Sequence, residues 1–324
     1  MRSNALKAVG IALLSALFFT LTYVLNRAVV SGGGHLQWAV ILRYLITLPL
    51  LAVVVPFQDG LGDLPRELRG HARTWLGWST VGFVLFGVPL TWAASSGPSW
   101  LVAGSFQMTV LAGPLMAPFI YRDERARWHI GALSIGALIV IGVMLLQFGH
   151  AHGALDASAW LAVGAVVFAA FAYPLGNRQI LLHLERSGTK LGAVQRVFGM
   201  TLASWPLWLL MAAITWATIG PPTLREALLA GGVALSSGVI ATVLFFHATE
   251  RVGRQPTALA AVEAMQAAEL LFATLIGAIF LHEAVPSPLA ATGALAIIVG
   301  IVLFAWISGR DASSVDERET DRGA

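Results

Sequence analysis

The stretch TYVLNRAVV, residues 22–30, returns with small changes as AYPLGNRQI at residues 172–180. Each ends a long apolar run on an asparagine–arginine pair. A chain that writes such a junction twice, about half its length apart, is a candidate internal duplication. The rest of the sequence can be read outward from that pair.

The apolar runs define the class. Hydrophobic residues make up 57% of the chain and charged residues 11%. Soluble domains carry about 45–50% and about 25%. The mean hydropathy is +0.77, as expected of an all-α integral membrane protein. The chain has no cysteine, which excludes disulfides, thiolate metal sites and cysteine catalysis. The first apolar run exceeds the ~7–15 residues of a signal-peptide core, so it reads as a retained span.

A membrane-crossing helix needs about 20 mostly apolar residues. Ten segments qualify: 5–27, 36–56, 75–94, 99–121, 128–148, 157–176, 192–217, 227–248, 257–281 and 288–308. The loops are short, and the polar tail 309–324 lacks periodicity and reads as disordered. With ten spans both termini share one side. Placing them in the cytoplasm puts all but Arg27, Arg43 and Arg225 of the 20 basic residues there, as the positive-inside rule requires.

Other pairs follow the opening one in sequence order. Arg43 in span two matches Arg196 in span seven, and each precedes a threonine and a proline. Gln107 in span four matches Gln266 in span nine, with Glu124 and Glu283 at the same offset beyond them. GALIVIG at 136–142 matches GALAIIVG at 293–300. The chain reads as two homologous five-span repeats, 1–150 and 151–308. Because five is odd, the second enters the membrane inverted. Many secondary transporters are built this way, and two opposed halves can exchange inward-open and outward-open shapes around a midplane site.

Ionisable residues at membrane depth are the first functional candidates. Glu263 and Glu269 lie in span nine with Gln266 between them, on a stripe about 120° wide in an α-helix. They read either as carboxylates that take up protons and cationic substrate in turn, or as partners for buried arginines. Arg43 must lie inside span two, because too few residues follow it to cross the bilayer. It reads as a substrate-anion contact or counter-ion to Glu269, or as a side chain snorkelling outward. Arg196 has the same options, with an interfacial position favoured. Arg27 and Arg178 read as anchors at span ends. Asn26 and Asn177 could hydrogen-bond between the halves. Tyr23, Tyr173, Trp92, Trp205 and Trp208 could line a pocket for flat cations. Gly113 with Pro114, and Pro174, are hinge candidates. His247 could relay protons. His150, His152 and Asp156 lack further ligands for a metal, and Ser237 lacks an oxyanion loop for hydrolysis. The reading is therefore of no enzyme, no metal and no cofactor.

The strings YVLNR, GGGHLQWAVILRYLITLPLL, AYPLGNRQ, QRVFGMTLASWPLW and EAMQAAELLFATLIGAIFLHEAVPS resemble the multidrug resistance efflux transporters, the ten-span EmrE-like family of the drug/metabolite transporter superfamily. The resemblance covers about residues 5–308. It implies a multi-pass exporter of small molecules in the bacterial inner membrane, partnered by its substrate, protons and the lipid bilayer rather than nucleic acid, as monomer or homodimer. Two departures stand out. Span one carries no acidic residue, where four-span relatives couple protons to drug through a glutamate. Leu270 stands where the wider superfamily often has a proline.

Overall fold

The computed structural model describes the backbone of residues 2–31, 33–57, 60–96, 104–148, 157–253, 255–280 and 287–322. The side chains of Tyr23, Asn26 and Arg27, three of the sequence candidates, lie outside the described residues, as do His150, His152, Asp156 and Glu283. Every regular element among the described residues is helical. Nine of these helices are long and apolar enough to cross a membrane: Ala5–Thr22, Leu36–Phe57, Ala72–Ala93, Ile130–Phe148, Trp160–Ser187, Ala193–Ile219, Leu224–Val252, Pro256–Ile276 and Pro288–Ile307. They correspond to all the predicted spans except span four. The described part of span four is helical at 104–106, turns at Gln107–Met108, and resumes as Thr109–Ile120.

Two boundaries differ from the sequence reading. Span six does not stop at residue 176 but continues as one helix, Ala157–Ser187. The asparagine–arginine pair therefore lies inside it, with Asn177 Nδ2 bonded to Thr249 of span eight and Arg178 to Glu263 of span nine. The final helix runs Pro288–Arg322 and carries on through most of the tail predicted as disordered. A helix already nucleated in the bilayer extends at little further cost, since nucleation is the expensive step.

The helices depart from α geometry in a paired way. Spans three and eight each contain a π-helical segment, Thr80–Val84 and Ala234–Ala241. Spans four and nine each tighten into i→i+3 hydrogen bonding, around Gln107 and at Met265–Ala267. Spans two and seven each hold an internal proline, Pro49 and Pro206.

Two of these irregularities have identifiable local contacts. In span eight, Ser15 of span one donates to the Ala241 carbonyl at 2.7 Å, and Thr242 donates to the Ser237 carbonyl at 2.6 Å. In span three, the π segment brings Gly82 against Gly176 of span six. A Cβ on Gly176 would lie 2.5 Å from the Gly82 Cα, so this crossing requires glycine at 176, while a Cβ on Gly82 would stand 3.3 Å from the Gly176 Cα.

Spans five and ten pack along a seam of small residues. A Cβ at Gly142 would stand 2.8 Å from the Gly293 carbonyl oxygen, and one at Gly293 would stand 2.9 Å from the Leu146 Cα. Apolar tails surround both helices, so close van der Waals approach, not a hydrophobic force, holds them together. Gly293→Val is expected to cost about 1–3 kcal/mol, because the obstructing atoms are backbone and cannot rotate away. Thermal unfolding in detergent beside an outward-facing control, Gly10→Val, measures it; a Cβ on Gly10 would meet no other described residue within 4 Å.

Candidate functional site

The repeated motif supplies a series of contacts from one helix. Tyr173 is buried and its ring lies 4.9 Å from Phe86 and 5.6 Å from Phe245. Gly176 makes the crossing with Gly82. Asn177 donates to the Thr249 hydroxyl at 3.4 Å. Arg178 holds Glu263 of span nine in a two-pronged pair, Nε to Oε1 at 2.9 Å and Nη2 to Oε2 at 2.7 Å. Their side chains are 3% and 2% exposed.

The expectation that Arg178 anchors a span end is thus overturned. It is a buried cation, held in place because two parallel hydrogen bonds and full charge neutralisation make its depth tolerable. Gly113, read as a hinge with Pro114, has a specific place here. A Cβ on it would overlap Glu263 Oε2 and Arg178 Nη2. The backbone irregularity of span four lies at Gln107–Met108, about one and a half turns earlier, while Pro114 and Pro174 sit inside continuous helices.

Span nine carries the second part of the site. Its 3₁₀ turn, Met265–Ala267, falls between Glu263 and Glu269. In 3₁₀ geometry residues three apart eclipse one another, so this turn draws Glu263, Gln266 and Glu269 toward one line, tighter than an α-helix allows. All three are buried. Thr20 of span one donates to the Glu269 carbonyl at 3.3 Å. The Tyr173 hydroxyl stands beside Gln266 and within electrostatic reach of Glu269, Arg43 and Tyr44.

Aromatic rings enclose this cluster. Trp208 stacks on Tyr44 at 4.3 Å, Tyr44 reaches Phe83 at 5.4 Å, and Phe106 reaches Phe86 at 5.7 Å. Arg43 lies over the Tyr44 ring at 5.4 Å. Of the aromatic candidates, Tyr173 and Trp208 belong to this enclosure, whereas Trp92 is 48% exposed. Within the enclosure the Tyr173 hydroxyl, Gln266 Nε2 and Arg43 Nε are buried without a hydrogen-bond partner among the described residues, as are both side-chain polar atoms of Gln107 in span four. Native interiors leave few such atoms unpaired without a bound water or ligand.

Arg196 is fully buried within the protein, in the first turn of the helix Ala193–Ile219. It donates to the Phe246 carbonyl at 2.6 Å and to Glu250 at 3.2 Å, and lies over the Phe246 ring. The desolvated guanidinium is tolerated because a ring face and two acceptors take up its charge. His247 is partly buried and its Nε2 accepts from Arg251 at 3.0 Å.

Straps tie the ends of the bundle. At the arginine-rich end Arg125 bonds both Asp123 and Glu185, at 2.6 and 2.9 Å from Nη2, and lies over Tyr121 at 4.3 Å. A cavity with room for about one water separates this clasp from Arg178. Also at that end, Glu67 of the loop after span two is buried under span six. Burial pushes its carboxyl up, but hydrogen bonds with His183 and Thr189 and the nearby His71 outweigh it and hold the group below its ordinary value. At the opposite end Glu226 accepts from the His35 and Thr223 backbone N–H groups at 2.6 and 2.7 Å. Glu67 and Glu226 lie after spans two and seven, and each bonds to a residue far off in sequence, His183 and His35.

Arg125 holds Asp123 below the usual carboxylate range, chiefly through its hydrogen bonds. The clasp therefore contributes fully above pH about 3.8 and is lost only as pH falls below that. Hydrogen exchange of residues 122–127 is expected to stay unchanged between pH 8 and 5, once corrected for intrinsic rates. Any pH dependence of function in that range must then arise elsewhere.

The family model described as "EmrE: Putative multidrug resistance efflux transporter" matches residues 6–310. The chain belongs to this family. It is 42% identical over 312 residues to the uncharacterized protein YjlA of Bacillus subtilis, covering 94% of this chain and 95% of that one. It is 38% identical over 283 residues to an uncharacterized 42.1 kDa protein of Shouchella clausii, covering 86% of this chain and 74% of that one. A solved structure titled only "Crystal structure of protein" superposes with a TM-score of 0.69 at 14% identity, over 93% of this chain and 99% of that one. That likeness concerns the fold. Membership in the efflux family and the set of apolar helices make this a multi-pass membrane protein of a transporter family.

The Arg178–Glu263 pairing escaped the sequence reading, although both residues were candidates. They lie 85 positions apart, and only the buried-arginine option for Glu263 pointed that way. The Arg125 clasp and the Glu67 strap were missed outright, since loop charges carry no signal of what they face.

Proposed function

We propose that this chain is a ten-span secondary transporter that exports small organic cations in exchange for protons by alternating access, with Glu269 as the group that both must occupy in turn. The observation that carries the reading is the enclosed cluster at the 3₁₀ turn of span nine. There a buried carboxylate, a glutamine and a tyrosine sit inside aromatic walls, with polar atoms that have no partner among the described residues. A flat cation would meet ring faces and one carboxylate, and its arrival would favour loss of the carboxyl proton. Discontinuous helices at such sites are usual in transporters.

Glu263 is the second carboxylate in this reading, but Arg178 already engages both of its oxygens. Its part is to hold spans six and nine together. Gln107, Gln266, Tyr173 and Asn177 would line the pathway, with Tyr23 and Asn26 as their first-half counterparts. The paired π segments, paired 3₁₀ turns, paired prolines and paired Glu67 and Glu226 straps favour an inverted repeat with its boundary near residue 150. The arginine distribution favours cytoplasmic termini in a bacterial inner membrane. The chemistry sits in one half only: the first-half positions equivalent to Glu263 and Glu269, by the Gln107–Gln266 match, are Gly104 and Val110.

A second reading has a specific support. Arg43 Nε and the Nε and Nη1 atoms of Arg196 are buried without partners among the described residues, which suits an anionic metabolite. Flux into liposomes under an imposed pH gradient, with panels of lipophilic cations and of small carboxylates, separates the two. Transport of carboxylates and not cations would replace the first reading by the second. No flux with either panel, from protein shown to be folded, would count against both.

A further inference from the structure

The arginine-rich end holds a cluster that the transport reading does not use. Glu67, His71 and His183 each offer one ligand atom, and these atoms lie within 4.8 Å of one another. His183 Nε2 is 2.6 Å and His71 Nδ1 is 2.9 Å from the same oxygen, Glu67 Oε1. The two rings meet edge to face at 71° with centroids 4.7 Å apart. Their nitrogens therefore converge on the carboxylate from different directions instead of lying in parallel planes.

We propose that Glu67, His71 and His183 form a binding site for a divalent transition-metal ion of the zinc class. Two imidazoles and a carboxylate are the donor set that suits such an ion, whereas magnesium and calcium take oxygen ligands. A cation at the convergence point takes the place of the two protons that imidazole N–H groups would otherwise direct at Oε1. Tetrahedral zinc, with bonds of about 2.0–2.2 Å, sets its ligand atoms about 3.3 Å apart. The nitrogens must therefore spread from the oxygen by roughly half an ångström. His71 is free to do so, since its side chain is 46% exposed in a loop.

The surroundings match a metal site in two further respects. Thr189 donates to the other carboxylate oxygen, Glu67 Oε2, at 3.1 Å and fixes the carboxylate's orientation, as second-layer partners of metal ligands do. The exposed edge of His71 gives an ion a way in, and a fourth position is left for water, so the ion would exchange. Glu67 and His71 are one helical turn apart after span two, and His183 lies near the end of span six. One ion would link the first half of the chain to the second.

The test uses the full-length purified protein, stripped with chelator and titrated with Zn2+ against a chromogenic competitor, with Co2+ absorption as a direct report of coordination. The expected result is one equivalent of Zn2+ and a tetrahedral Co2+ spectrum. Affinity should fall by at least about tenfold in His71→Ala and His183→Ala, and stay unchanged in a His150→Ala/His152→Ala control. Helicity and elution volume confirm folding of each variant, and the half-exposed His71 can be replaced without disturbing the core. No tight binding to the wild type would overturn the proposal. So would binding unaffected in both single variants, or binding lost in the His150/His152 control.

Discussion

Replacing either member of the Arg178–Glu263 pair is expected to produce the largest stability loss of any single polar substitution in this chain. Arg178→Ala or Glu263→Ala leaves an uncompensated charge in the low-dielectric interior, which costs about 3–5 kcal/mol. The corresponding fall in melting temperature is on the order of 10 °C. The double variant Arg178→Met/Glu263→Met should recover most of it, because an apolar pair of similar volume is often as stable as a buried ion pair. Thermal unfolding of the three variants in detergent gives the coupling directly. Additive losses would mean that the two side chains do not act as a pair. Gly113→Ala belongs to the same experiment, since its Cβ would displace the pair from its seat, and it should lower stability while leaving both charged residues in place.

Glu269→Gln is expected to have the largest functional effect and a small structural one. The amide keeps the size and much of the hydrogen bonding of a protonated carboxyl but cannot release a proton. Flux driven by a pH gradient should fall to the level of protein-free liposomes, while unfolding stays close to wild type. Glu269→Asp should retain part of the flux, since it keeps the titratable group but withdraws it toward the helix. Loss of folding in Glu269→Gln would instead assign Glu269 a structural role like that of Glu263.

The parts of this molecule legible in the sequence are those with local signals. Apolar runs of sufficient length mark spans, and the Gln107–Gln266 match marks the two helices that tighten into 3₁₀ turns. Gly142 and Gly293, which belong to the two matched glycine strings, meet across the seam between spans five and ten. What stayed hidden depends on partners far away in sequence. Arg178 looked like a boundary residue because a span was assumed to end where charge begins. The helix in fact continues to Ser187, and the charge is cancelled from span nine. Likewise the π segments have no composition signature; they accompany the Gly82–Gly176 crossing and the Ser15 bond to the Ala241 carbonyl. The Glu67, His71 and His183 cluster joins residues 116 positions apart, so no spacing motif could announce it.

The central claim is competition between proton and substrate at Glu269. Its most direct measurement is proton release from purified protein in weak buffer on adding each member of a panel of lipophilic aromatic cations, with Glu269→Gln beside it. The account predicts release on binding by wild type and none from the variant. Binding without release, or release undiminished in Glu269→Gln, would contradict it.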